Sequence, residues 1–129
     1  MIRLAGFAFL VVCSAVSAHE DLTSKIDGDW AGKGSGTIDM RVMVLDAVNG
    51  IAAASIAVAS AGCGGEVVGL GRLNGGVLAV SPYVKEEGGE SCVVSIRFDA
   101  SGRKGVISEN SCGYYHGAAC AFEGKLQRR

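Results

Sequence analysis

This chain of 129 residues is short of what a catalyst or a nucleic-acid binder needs. It has two histidines, His19 and His116, and no serine or cysteine stands beside a base in a recognised catalytic pattern, so an enzyme is not expected. Twelve Lys and Arg face thirteen Asp and Glu, and no basic stripe appears apart from the terminal Arg128 and Arg129. A nucleic-acid partner is therefore not expected. No two cysteines have the C-x-x-C spacing that sets two thiolates on one zinc ion. The apolar run from Leu4 to Val12 is too short to cross a bilayer. Proline occurs once, at Pro82, which leaves chain reversal to the twenty glycines. Aromatic residues make up only 6% of the chain. Yet CGYYHGAAC, residues 112–120, holds two of the three tyrosines and one of the two histidines.

The N-terminal segment MIRLAGFAFLVVCSAVSA has one basic residue, Arg3, then the apolar run, then small residues suited to cleavage after Ala18. This is the pattern of a secretory signal peptide over residues 1–18. Cys13 raises lipidation, but a lipoprotein signal wants a small residue where Val12 stands, and a soluble periplasmic protein is the expectation. The mature chain would run from His19 to Arg129, long enough for one domain and not for two. It loses Arg3, which leaves a net charge near minus two.

Four cysteines remain in that part: Cys63, Cys92, Cys112 and Cys120. In an oxidising compartment an even count reads as two disulfides. Three connectivities are open, and the local one, Cys63 with Cys92 and Cys112 with Cys120, is the expectation taken here.

Alternation with a period of two marks the strands. In TIDMRVMVLD, Ile38, Met40, Val42 and Val44 alternate with Asp39 and Arg41; in CVVSIRFD, Cys92, Val94, Ile96 and Phe98 share one face. Turn signals lie between such runs at Asn49-Gly50, Asn74-Gly75-Gly76 and Ser101-Gly102. Strands are expected near 28–35, 37–46, 51–60, 65–73, 77–83, 92–99, 103–109 and 120–127. The alanine-rich piece IAAASIAVASAG favours helix by composition, but Ile56, Val58 and the preceding Asn-Gly turn place it with the strands. Eight short antiparallel strands form a meander, and a meander hides its edges by closing into a barrel.

The opening strand GDWAGKGSG resembles the glycine-tryptophan strand of lipocalin-like and other small barrels, in which the Trp plugs one end of the core. The leader, the eight glycine-rich strands and the C-terminal segment SCGYYHGAACAFEGKLQR together resemble the bacterial inhibitors of C-type lysozyme. That resemblance implies a small antiparallel barrel whose loops enter the lysozyme cleft. It also implies a serine in a Ser-Gly turn and a lysine further along, which carries Ser101 and Lys104 over as contact residues.

The residues of the 112–120 loop point the same way. Tyr and His pair an apolar body with a polar tip, a combination suited to binding surfaces. A disulfide holding the loop in one shape would cut the entropy lost on docking. Tyr114, Tyr115, His116 and Ser111 are thus the expected partner contacts, with one of the adjacent tyrosines turned inward and structural. The acidic run Lys85 to Glu90 would draw in a basic partner. No cofactor is expected. The alternative is a periplasmic barrel for a small ligand or for copper, with His19 and His116 joined as a histidine brace. Whether the chain forms a homodimer stays open.

Overall fold

The computed structural model describes Leu10 and residues 22–129. Most of the expected leader, Cys13 and His19 lie outside the described residues. A helical turn over residues 22–26 leads into eight strands: β1 (Gly28–Gly34), β2 (Thr37–Asp46), β3 (Ile51–Ser60), β4 (Cys63–Asn74), β5 (Val77–Pro82), β6 (Val93–Phe98), β7 (Lys104–Asn110) and β8 (Gly124–Arg128). Each pairs antiparallel with the next, and β8 returns to β1, so the meander closes as an eight-stranded barrel.

The period of two decides which side chains face the axis. Ile38, Met40 and Val42 of β2 are buried, as are Cys92 and, from β6, Val94, Ile96 and Phe98. β3 is a strand despite its alanines. Its ten residues pair with β2 on one side and β4 on the other, and two ladders outweigh a helix preference of a few tenths of a kcal/mol per residue. Ala52 and Ala54 are buried there, small side chains in a core whose volume is filled by larger ones such as Trp30, Leu78, Ile96 and Phe98.

Trp30 is the expected end plug. It is fully buried, its ring lies 5.1 Å from that of Phe98, and its indole N–H donates to the Ile26 carbonyl at 3.0 Å. The helical turn is thereby fastened under one end of the barrel, with Ile26 and Thr23 buried. At the β1–β8 seam, Gly34 pairs with Gly124. A β-carbon on Gly34 would fall 1.7 Å from the Glu123 carbonyl oxygen, so the closing strand approaches this close only because no side chain intervenes.

Two expectations need correction. The disulfides are Cys63–Cys120 and Cys92–Cys112, not Cys63–Cys92 and Cys112–Cys120. β7 delivers Cys112 beside Cys92, whereas the chain leaving the loop delivers Cys120 to the start of β4. The last strand begins at Gly124, not at residue 120. The Phe122 N–H is taken by the Glu109 carboxylate at 2.7 Å, and Cys120 is tied to β4, so residues 120–123 cannot join the β7–β8 ladder.

Candidate functional site

Antiparallel order puts alternate connections at opposite ends of the barrel. One end carries the short turns between β1 and β2 and between β3 and β4, the segment 83–92 between β5 and β6, and the segment 111–123 between β7 and β8, whose Ala121 N–H donates to the Ser35 hydroxyl at 2.8 Å. The other carries the helical turn, the remaining turns and the C-terminus.

At the first end the two long segments are fastened together. Cys92–Cys112 joins the end of one to the start of the other, and Cys63–Cys120 ties the far side of 111–123 to β4. The loops closed are 20 and 57 residues apart in sequence. Chain entropy assigns such bridges about 3 and about 4 kcal/mol respectively when each is taken alone. The segment is thus pinned at both ends to the barrel instead of to itself. That holds it more firmly in place than the local pairing would.

Within it, Gly113–Tyr115 form a single 3-10 turn, with the Tyr115 N–H donating to the Cys112 carbonyl at 2.9 Å. Ser111 enters that turn at φ 59°, a left-handed conformation unusual outside glycine, and its side chain is exposed. The two tyrosine rings meet edge to face at 5.1 Å and then part company. Tyr115 packs against the core cluster, whereas Tyr114 is 55% exposed. One inward and one outward tyrosine is the arrangement expected, although a 3-10 turn and not an extended strand produces it.

Both rings lie on the glycines of the acidic segment. A β-carbon on Gly89 would come within 2.7 Å of the Tyr115 ring, and one on Gly88 within 3.3 Å of the Tyr114 ring. Glu86 accepts a hydrogen bond from the Tyr114 hydroxyl, and this bond, with the carboxylate's charge, raises the Tyr114 pKa above its ordinary 10.0. Tyr115 is also raised, chiefly by desolvation and then by the charges of Glu86 and Glu90. Its hydroxyl is buried without a hydrogen-bond partner among the described residues.

His116 faces inward. Its ring is buried, stands edge to face with Phe122 at 5.1 Å, and has Glu109 Oε1 at 2.8 Å from Nε2 and the Gly117 carbonyl oxygen against Nδ1. Glu109 uses its other oxygen on the Phe122 N–H, so this pair organises the backbone beneath the tyrosines. His116 thus supports the loop from below and does not present its ring to a partner. The copper reading called on the same ring. His19, its intended companion, lies outside the described residues, and among those residues no group of three His, Cys, Asp or Glu could hold a metal.

Ser101 and Lys104 belong to the other end. Ser101 sits in the β6–β7 turn, where its hydroxyl donates to Asp99 at 2.7 Å and so lowers the Asp99 pKa. Lys104 begins β7, which reaches the tyrosine end only six residues later, roughly 20 Å away at strand spacing. The expected contact residues therefore do not form one surface. Tyr114, Tyr115 and Ser111 come together; Ser101 and Lys104 stand apart from them. What the residue pattern could not show is the part played by Gly88, Gly89 and Glu86. The acidic run is visible in the sequence, but its contact with the tyrosines depends on a disulfide that joins residues twenty apart.

No protein-family model matches this chain, and neither a curated protein nor a solved structure matches it. Two disulfides are compatible with an exported protein. Among the described residues no helix is long and apolar enough to cross a membrane.

Proposed function

We propose that this is an exported binding protein whose partner docks on the tyrosine end of the barrel, and that the partner is a C-type lysozyme, which it inhibits. The observation that carries the reading is the exposed Tyr114 held beside Glu86 on two segments that the disulfides pin to the barrel. An aromatic side chain fixed in advance loses little entropy on binding, and tyrosines are enriched among the residues that dominate interfaces. Glu86, Glu87 and Glu90 are all exposed at the same end, a charge suited to a basic partner such as a lysozyme of this class.

The choice of lysozyme rests on the resemblance of the C-terminal segment to the lysozyme inhibitors. Lysozymes cleave glycosidic bonds with two carboxyl groups across a cleft. A rigid projection that fills the cleft and offers a phenolic O–H to one carboxylate would block substrate without chemistry of its own. Tyr114 would give up its bond to Glu86 to do so. Large side chains occupy the barrel axis, which leaves the small-ligand alternative without an interior site to argue from.

The test is lysis of bacterial cell walls by a C-type lysozyme with the purified chain added. Inhibition at micromolar concentration and low salt is expected. Full lysozyme activity in micromolar excess of the chain would remove this partner from consideration.

A further inference from the structure

The outer wall of β2, β3 and β4 exposes large apolar side chains that the barrel itself does not use. Met43, Leu45, Val68 and Leu70 are 52%, 54%, 54% and 42% exposed. They are neighbours through the register: Met43 pairs with Ala53, and Ala53 pairs with Leu70, in one row across three strands. Ser55 pairs with Val68 in the next row. Exposed aliphatic groups scattered singly would need no explanation, but a contiguous set on a sheet face marks an interaction surface.

The charges on β4 say what covers its share of this patch, Val68 and Leu70. Along the outward face of β4 the order is Glu66, Val68, Leu70, Arg72. Gly69 is the midpoint, with an apolar residue one step to either side and an opposite charge three steps to either side. A two-fold axis in the contact plane, crossing β4 at Gly69, turns this face onto itself with the strand reversed. Val68 then meets Leu70 of the second copy, and Glu66 meets Arg72. On β3, which stays beside β3 of the other copy, the small side chains of Ala53 and Ser55 permit close approach. Such self-complementarity along β4 is what an isologous contact requires. On β2 the same axis falls at Val42 and sets Met43 opposite Arg41, so the contact is centred on β4 and the small residues of β3.

We infer that the outward face of β4, flanked by the small side chains of β3, is a homodimer interface organised by a two-fold axis at Gly69. The contact uses the side of the barrel, away from the end carrying Tyr114, so both binding ends of the dimer stay open.

Sedimentation velocity on the mature chain tests this. The expected result is a species of twice the monomer mass at micromolar concentration, reduced to monomer in Leu70→Glu and in Val68→Lys, with circular dichroism unchanged because both side chains point outward. Glu66→Arg and Arg72→Glu should each raise the dimer dissociation constant at least about tenfold, through like charges placed opposite one another. The double variant E66R/R72E, in which the two-fold restores opposite charges, should recover most of that loss. A chain that stays monomeric at a hundred micromolar or so overturns the proposal. So does a dimer that survives Leu70→Glu and Val68→Lys, and a dimer that the double variant fails to restore excludes the axis at Gly69. None of these readings depends on lysozyme, so the failure of either proposal can be told from that of the other.

Discussion

Gly89 and Tyr115 meet across the two segments that close one end of the barrel, so tightly that a β-carbon on the glycine would lie 2.7 Å from the tyrosine ring. The contact couples the acidic segment to the tyrosine turn. Any side chain at residue 89 must push the ring out of its place against the core or break the packing of residues 86–90 around it. Gly89→Val is therefore expected to weaken partner binding as strongly as Tyr114→Ala does, while the far end of the barrel is undisturbed. Inhibition assays on the two variants, side by side, check this.

The tyrosines themselves supply a pH measurement. Tyr114 and Tyr115 both have pKa values above 10.0, one through Glu86 and the other through burial first. A folded-state value raised above the unfolded one favours the protonated phenol. That stability is present below pH 10 and is lost as the pH rises through the raised values. Absorbance titration should show these two tyrosines ionising late, and Glu86→Gln should move Tyr114 back toward its ordinary value. A titration unchanged by Glu86→Gln would show that the Glu86 bond does not hold in solution.

Partner affinity should divide by the end of the barrel. Replacing Tyr114 by Ala is expected to raise the inhibition constant against lysozyme about tenfold, mainly through a faster off-rate. Gln at residues 86, 87 and 90 should slow association at low salt and lose that effect at high salt. Ser101→Ala and Lys104→Ala, at the opposite end, should leave inhibition unchanged.

Peptide mapping of the oxidised protein should recover Cys63 linked to Cys120 and Cys92 linked to Cys112, with no free thiol among the four. Reduction should release residues 111–123 and lower partner affinity while much of the strand signal in circular dichroism persists. The four cysteines are spread over two loops and one strand end, so recovery of Cys112–Cys120 peptides would refute the arrangement described above.

Core substitutions report on the barrel independently of any partner. Trp30→Ala removes the end plug, its hydrogen bond to Ile26 and its contact with Phe98, and should cost about 3–5 kcal/mol in denaturant unfolding. Gly34→Ala should also destabilise, by at least about 1 kcal/mol, because its new methyl would meet backbone and not a movable side chain.

Much of the barrel could be read from the residues in order. Period-two alternation in β2 and β6, the Asn-Gly and Gly-Gly turns and the even spacing of short strands specify which residues face inward. These are local properties, set by the pleat and by φ at a few glycines. The plug role of Trp30 follows from the same logic, since one large indole in a glycine-rich first strand has few places to go but the core. The outward tyrosine and the acidic run were visible too, as residue types suited to binding.

The remainder was decided by the tertiary structure, because it depends on which chain ends the closed barrel brings together. Cys112 is eight residues from Cys120 in sequence, but barrel closure sets it beside Cys92 and sets Cys120 beside Cys63. His116 looks like a surface ligand in the run Tyr-Tyr-His, yet the turn that sends Tyr114 outward sends its ring toward Glu109 and Phe122. Ser101 and Lys104 fall at the wrong end for a shared surface with the tyrosines because an antiparallel meander sends successive turns to opposite ends. Strand alternation is a property of neighbours along the chain; the partners of a cysteine, a histidine carboxylate pair or a binding surface are neighbours only in space.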